Sequence, residues 1–352
     1  MAAAAQYLRV VVNAERRYAL WPHARRVPRG WADTYFVGSR LRCLAQITEL
    51  TRHHAAACPA APGAAQGRTA IGRLGRVAAG APYRTAVLGA GFRLTFADLD
   101  RRANALARTI AEHGVRRGDL VGLRLRPGAD AVVARLAALK AAAAYLPMDD
   151  ESAVARPGLR LIVTEPEWSG PARRRGLPVL AWTRRDRGAG RVPARADQVE
   201  PHDPAFVVPG PAPGGGLVVD HGRLVLAARS AGGPTGCTAS GPWRDELAIW
   251  GRLLRGEPIR YGAHGVVVGQ SGVDGPTGLD GKCYVLDEDL RPAVEGQVYF
   301  AAAWLGGGYD GGPIRTAWWL RPDPFDRIGG KVMLWTGRRA RRDDGVLRLT
   351  DV

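Results

Sequence analysis

The chain has few cysteines, almost no lysine and no long apolar run, and each shortage excludes something. Its four cysteines, Cys43, Cys58, Cys237 and Cys283, form no CxxC pair and have no histidine at zinc-ligand spacing. Neither a disulfide framework nor a zinc site is therefore expected, and the thiols read as buried and inert. No stretch approaches the ~20 uninterrupted apolar residues of a membrane helix, and the opening MAAAAQYLRVVVNAERR has no basic flank ahead of its short apolar run. A cytoplasmic protein with no membrane partner is the expectation. Only three of the 50 basic residues are lysine (Lys140, Lys282 and Lys331), which leaves 47 arginines behind a formal charge of +17. Such a charge favours nucleic acid when it is clustered on phosphates and interleaved with stacking rings. Here it is scattered, and the short runs Arg173 to Arg175 and Arg338 to Arg342 hold no aromatic residue. They read as solvated loop faces, which argues against a nucleic-acid partner. A composition of 46% hydrophobic and 24% charged residues excludes wholesale disorder in a chain of 352 residues, long enough for two or three domains.

What is present divides the chain into modules. Residues 1–54 are aromatic-rich and end before an Ala/Pro/Gly stretch, residues 55–70, with the composition of a linker. Tyr7 to Asn13 and Arg17 to Trp21 read as two strands about a turn, and Leu41, Leu44, Ile47 and Leu50 recur at helical spacing behind a possible Ser39 cap. Past the linker, strands and helices alternate. Thr95 can cap a helix whose stripe is Leu99, Ala103, Leu106 and Ile110 and which Gly114 ends. Strands are expected at Leu120 to Leu125, Tyr145 to Met148, Leu159 to Val163, Leu177 to Trp182 and Ala205 to Val208, with a helix from Asp130 to Ala143. That order implies an open, mostly parallel sheet with helices over residues 71–228. Residues 229–352 are more glycine-rich and β-like, with strands at Lys282 to Leu286 and Gln297 to Phe300 and tryptophans at 304, 318, 319 and 335 expected to pack in a core or interface.

The run Asn13-Ala14-Glu15-Arg16-Arg17-Tyr18-Ala19-Leu20-Trp21-Pro22, followed by Val27-Pro28-Arg29-Gly30-Trp31, resembles the MbtH-like proteins, whose pattern is N-x-E-x-Q-[YH]-S-L-W-P, a short gap, then P-x-G-W. The resemblance covers residues 5–54 and implies a small α+β domain, an antiparallel sheet plus a helix, that enzymatically does nothing itself but binds adenylation domains of nonribosomal peptide synthetases. Two tryptophans held by prolines offer rigid aromatic area at low entropic cost, which suits a docking cleft. They could equally complete a core that ~50 residues can hardly build otherwise. The resemblance favours docking, with Trp21, Pro22, Pro28, Gly30 and Trp31 on one side and Pro322, just before Asp323-Pro324-Phe325, on the other. Arg17 and Ala19 depart from the family's glutamine and serine, and Arg17 is expected to face Arg321 with like charge.

The runs RLTFADLDRRANALARTIAEHGVRRGDLVGLRL and LAALKAAAAYLPMDD are similar to the opening of an amino-acid adenylation domain of those synthetases, members of the AMP-binding, acyl-adenylate-forming family. These motifs build scaffold. Where the family places its phosphate loop T-S-G-[ST]-T-G-x-P-K-G-V, this chain has PGPAPGGGLVV ahead of Asp220-His221, so Gly214, Gly215 and Gly216 are a weak remnant without hydroxyls or lysine. The aspartate that would hold a substrate amino group falls at Trp243, and an indole cannot replace a carboxylate there. Both Gly-Pro-Thr-Gly copies, 233–236 and 275–278, put glycine where the family's Y-G-P-T-E has glutamate. Gly296 to Phe300, Gly307 to Tyr309 and Asp323 to Phe325 resemble further pieces, and Leu334-Trp335-Thr336-Gly337-Arg338 matches Y-R-T-G-D with arginine for the ribose-binding aspartate. Guanidinium only donates.

The expectation is an α/β adenylation-like core, incomplete and lacking the family's C-terminal catalytic subdomain, behind an MbtH-like domain. No catalytic residue and no metal site is assigned and no cofactor is expected. The function implied is a non-catalytic partner or scaffold in nonribosomal peptide biosynthesis, docking on an adenylation domain of its own or a separate chain. One alternative is a residual adenylating or nucleotide-binding enzyme using ATP and Mg; another is a decayed gene product.

Overall fold

The β-branched run Val10-Val11-Val12, of which Val10 and Val11 are fully buried on the two faces of the strand, and the Asn13 carbonyl accepting from Arg16 N set a tight antiparallel hairpin of β1 (Leu8–Asn13) and β2 (Tyr18–Pro22). The computed structural model describes residues 7–55, 68–148, 158–174, 176–182, 196–209, 216–229, 242–262, 265–267, 281–302, 304–305, 308–309, 312–343 and 346–350. A third strand, β3 (Trp31–Gly38), pairs on the other side of β1, and helix α1 (Arg40–Ala55) covers one sheet face through Cys43, Leu44 and Ile47. Leu41, expected in that apolar stripe, is instead exposed. The N-terminal module is thus an antiparallel sheet plus a helix, as the sequence implies.

Two compact units form, and they do not follow chain order: one holds 1–63, 232–239 and 275–352, the other 64–231 and 240–274. The chain-order division at residue 228/229 is therefore not the packing division. The reason lies in strand pairing, because residues 259–262 pair with 85–89 while the N-terminal module packs on 281–343.

In the second unit Thr69 caps α2 (Ala70–Gly80), β4 (Thr85–Gly89) pairs with β5 (Phe92–Thr95), and Thr95 opens α3 (Phe96–Glu112) with a reciprocal capping box to Asp98. The stripe of Leu99, Ala103, Leu106 and Ile110 is fully buried. There follow β6 (Leu120–Arg124), α4 (Ala129–Lys140), β7 (Ala144–Pro147), β8 (Leu159–Thr164), α5 (Ser169–Arg174), β9 (Val179–Ala181), β10 (Pro204–Pro209), β11 (Gly216–Asp220), α6 (His221–Arg229), α7 (Pro242–Arg255), β12 (Ile259–Gly262) and β13 (Gly265–Val267). Six strands make one sheet in the order β11-β10-β7-β6-β8-β9, parallel except for β10 with β11. A smaller sheet runs β13-β12-β4-β5. The mixed α/β architecture with an open, mostly parallel sheet is as expected.

The first unit continues with β14 (Gly281–Leu286), β15 (Glu295–Ala302), α8 (Pro313–Trp319), β16 (Leu320–Pro322), β17 (Val332–Asp343) and β18 (Val346–Leu349), an antiparallel sheet in the order β14-β15-β17-β16 with β18 on β17. Trp304 is buried, and Trp319 stacks on Trp335 with centroids 5.0 Å apart. Cys43 is a buried free thiol, but Cys283 is disulfide-bonded, which corrects the expectation of free thiols throughout. Spacing along the sequence is blind to a pair that only the fold brings together. Cys58, Cys237 and nearly all of the linker stretch lie outside the described residues. No described helix is long and apolar enough to cross a membrane.

Candidate functional site

The two tryptophans of the first module sit where the β1 ladder fixes them. Trp21 pairs with Arg9 and is 1% exposed; its Nε1 donates to the Arg26 carbonyl at 3.1 Å, and the Arg25 guanidinium lies 5.2 Å from its ring centroid. Trp31 pairs with Asn13 and is 8% exposed, its backbone N–H held by the Pro28 carbonyl at 3.2 Å. Its Nε1 has no hydrogen-bond partner among the described residues. Pro22 and Pro28 are buried beside them.

Residues of the 281–343 stretch meet this module along a seam of main-chain contacts. Asn13 Nδ2 donates to the Gly330 carbonyl at 2.9 Å, and Gly330 N–H donates to the Arg29 carbonyl at 2.9 Å. Gly30 has φ +76° and a Cβ there would stand 2.3 Å from Gly330 N; a Cβ on Gly329, φ +99°, would stand 2.8 Å from the Arg29 carbonyl oxygen. Only glycine permits so close an approach in this left-handed geometry. Arg25 Nη1 donates to the Asp289 and Leu290 carbonyls, each at 2.9 Å.

Strand alternation places Leu8, Val10 and Leu20 on the sheet face opposite Trp21, and there Ala317 of α8 is fully buried in one cluster with them and with Cys43, Leu44 and Ile47. Trp318 packs against the same cluster, and Arg40 stands 4.9 Å from its ring centroid. Pro322 ends β16, buried and paired with Val332, and β16 packs on β2. The small side chain that enters the module's core is thus Ala317, five residues before Pro322. Arg321 is buried and donates to the Ala317 carbonyl; burial lowers its pKa to about 10, with Tyr299 opposing the shift and Arg40 adding to it. Its cationic neighbour is Arg40 rather than the expected Arg17, whose side chain reaches Glu15 at 3.4 Å.

The second candidate lies at the β10–β11 hairpin of the other unit. Gly216 opens β11 opposite Pro209 and is buried, while Gly214 and Gly215 and both Gly-Pro-Thr-Gly copies lie outside the described residues. His221 begins α6 wholly buried, its Nδ1 without a hydrogen-bond partner among the described residues, and burial lowers its pKa to about 4 against the pull of Asp203. Trp243 falls in the first turn of α7, and Arg338 on β17 is exposed.

Behind the sheet a buried ionic network ties α4 to α7. Arg135 donates to both Glu246 carboxylate oxygens at 2.9 Å through Nε, Tyr145 Oη donates to Glu246 Oε2 at 2.5 Å, and Trp250 Nε1 donates to Tyr145 Oη at 2.6 Å. Burial alone would lower the Arg135 pKa, but the Glu246 charge more than reverses this and raises it. Every group is satisfied, which marks the network as structural cement. Among the described residues no three His, Cys, Asp or Glu side chains gather as a metal-binding group.

Arg25, Ala317 and the Asp289–Leu290 carbonyls carry no mark in the sequence, and Asn13 stands out there only as the first residue of the Asn13-to-Pro22 motif. The Gly329-Gly330 doublet was the one visible signal of a close backbone approach; carbonyl acceptors carry none.

Residues 2–56 match the family described as MbtH-like protein, and residues 74–166 match the family described as AMP-binding enzyme. Among curated proteins the chain is similar to surfactin synthase subunit 2 of Bacillus subtilis (strain 168), 34% identical over 110 residues, 28% of this chain and 3% of that protein. It is also similar to tyrocidine synthase 1 of Brevibacillus parabrevis, 41% identical over 70 residues, 20% of this chain and 6% of that protein. The chain therefore spans only a few per cent of these relatives' length. Among solved structures, the nonribosomal peptide synthetase FmoA3 aligns at TM-score 0.55 and 20% identity over 82% of this chain and 43% of its own. The Klebsiella oxytoca NpsA N-terminal subdomain aligns at 0.58 and 15% identity over 80% of this chain and 100% of its own. At such identity the likeness speaks for the fold.

Proposed function

We propose that this chain, which joins an MbtH-like segment to an adenylation-like one, is a non-catalytic partner or scaffold in nonribosomal peptide synthesis whose first module docks on an adenylation surface. The observation that carries the reading is the seam itself: Asn13, Arg25 and Gly30 of the module engage the main chain at 289–290 and 329–330, and Ala317 enters the module's core. The residues that adenylation chemistry requires point the same way. Glycine stands for the phosphate-loop lysine and the metal-binding glutamate, Trp243 for the amine-binding aspartate and exposed Arg338 for the ribose-binding one. Losing a single preorganised donor in such a site costs ~3 kcal/mol of transition-state stabilisation, and here several go together. A cytoplasmic place beside its synthetase belongs to the same proposal.

A second reading, residual nucleotide binding with ATP and Mg, is favoured by one feature, the retained β10–β11 hairpin with buried Gly216 at its far side. The deciding experiment is amino-acid-dependent exchange of pyrophosphate into ATP, run with all twenty amino acids and common aryl acids, beside calorimetry with ATP and Mg. No exchange above a heat-killed control is expected. Exchange that disappears when residues 214–216 are altered would overturn the non-catalytic reading.

A further inference from the structure

Arg25 is a half-buried guanidinium that, among the described residues, reaches main-chain carbonyls and no carboxylate. Its Nη1 is shared between two consecutive main-chain carbonyls, Asp289 and Leu290, at 2.9 Å each. Those carbonyls converge because the turn from Asp287 to Arg291 is unusually constrained: Leu290 N donates to the Asp287 carbonyl at 3.0 Å, Arg291 N donates to Asp287 Oδ1 at 2.8 Å, and Asp287 N closes onto the Arg291 carbonyl at 2.9 Å. Leu290 itself takes φ +61° and is 4% exposed. A branched, apolar residue in the left-handed region is strained and persists only where its surroundings hold it there. The burial of its side chain and the donation from Arg25 are what hold it. The far face of Arg25 is occupied too, since the guanidinium lies over the Trp21 ring. Burial opposes its charge most and lowers its pKa, Arg291 adds to that, and Asp287 and Asp289 favour the charge.

Recognition of bare carbonyls in a strained turn is shape-selective, because a surface without that turn offers Arg25 two desolvation costs and no fork to fill. We infer that Arg25 is the specificity anchor that keys the N-terminal module to the Asp287–Arg291 turn of its own chain and so reserves its docking face against a separate adenylation domain. This rests on the docking reading above and adds to it which partner the module takes. The seam at Gly30 and Gly329 to Gly330 supports the reservation: the backbones are in direct contact there, which leaves no room for a second surface.

The test uses the full chain as wild type, Arg25→Ala and Arg25→Lys. Arg25 is only half-buried, so loss of folding is not the expected consequence, and far-ultraviolet circular dichroism checks this. Amide hydrogen exchange is read in the peptides covering 18–31 and 285–293, and capture of a purified, active amino-acid adenylation domain from a nonribosomal peptide synthetase is titrated in parallel. Arg25→Ala is expected to speed exchange at least tenfold in both peptides and to bind the added domain at least tenfold more tightly than wild type. Arg25→Lys, which keeps the charge but lacks the planar fork, should fall between them. Unchanged exchange in Arg25→Ala overturns the anchor. Equal capture by wild type and variant, or none by either once exchange has risen, overturns the reservation. Pyrophosphate exchange is silent on all of these outcomes, so failure here and failure of the non-catalytic reading are told apart.

Discussion

At the scale of single residues, several buried polar groups answer to the fold that surrounds them. His221 is one of them and makes a measurable statement. Its folded pKa of about 4 lies below the ~6.5 of an exposed histidine, chiefly because burial penalises the charged ring. The unfolded chain therefore takes up the proton first. The stability contributed by a neutral His221 is full above pH ~6.5 and drains away as pH falls towards 4, by about 3 kcal/mol in total if no other group compensates. Urea midpoints measured at pH 7 and pH 5 should fall more steeply for wild type than for His221→Gln, which cannot be protonated. Equal slopes in the two proteins would show that the ring is hydrated. His221 also illustrates what a sequence conveys: the Asp220-His221 dipeptide stood out as a motif, but nothing in it announced complete burial, because burial depends on which strand lies above. The same holds for Arg25 and Asn13, whose acceptors are carbonyl oxygens 264 and 317 residues away.

At the scale of elements, legibility followed local rules. Helix α3 could be read in full, since a Thr95 cap, a 3.6-residue stripe and a terminal glycine are all short-range signals, and each is present in the fold. Strands β6, β7, β8 and β10 fell near their expected places because parallel strands buried on both faces read as apolar runs. Helix α8 was not anticipated. Its seven residues, PIRTAWW, are too few for a period to emerge, and its role depends on Ala317 meeting Leu8, Leu20 and Leu44 from the far end of the chain. That meeting yields a prediction for the element. Ala317 is wholly buried in a filled cluster, so Ala317→Leu should overpack it and cost about 1–3 kcal/mol. Ala317→Gly should cost up to about 2 kcal/mol, ~1 through lost helix propensity and ~0.8 through one buried methyl. Chemical denaturation followed by tryptophan fluorescence would measure both; a neutral Ala317→Leu would mean that α8 slides freely over the module.

At the scale of the whole molecule, the order of sequence and the order of packing part company. An Ala/Pro/Gly stretch after residue 54 reads as the tether of an independent module, and composition gave no reason to doubt it. Yet the first 54 residues share a buried cluster and a main-chain seam with residues 281–343, inside one compact unit. A covalent tether is then needed for proximity more than for affinity. Tethering raises the effective concentration to the millimolar range, but an interface that places Ala317 in a common core and satisfies Asn13 and Arg25 should survive without it at micromolar protein. Limited proteolysis supplies the cut, since the residues 56–67 are rich in small side chains that a broad-specificity protease accepts. After cleavage there, the N-terminal fragment is expected to co-elute with the remainder in size-exclusion chromatography, and to separate only in denaturant or in an Ala317→Leu, Arg25→Ala double variant. If the fragment instead elutes alone in native buffer, the cluster contributes too little to hold two chains together, and the seam exists only by virtue of the peptide bond chain that joins them.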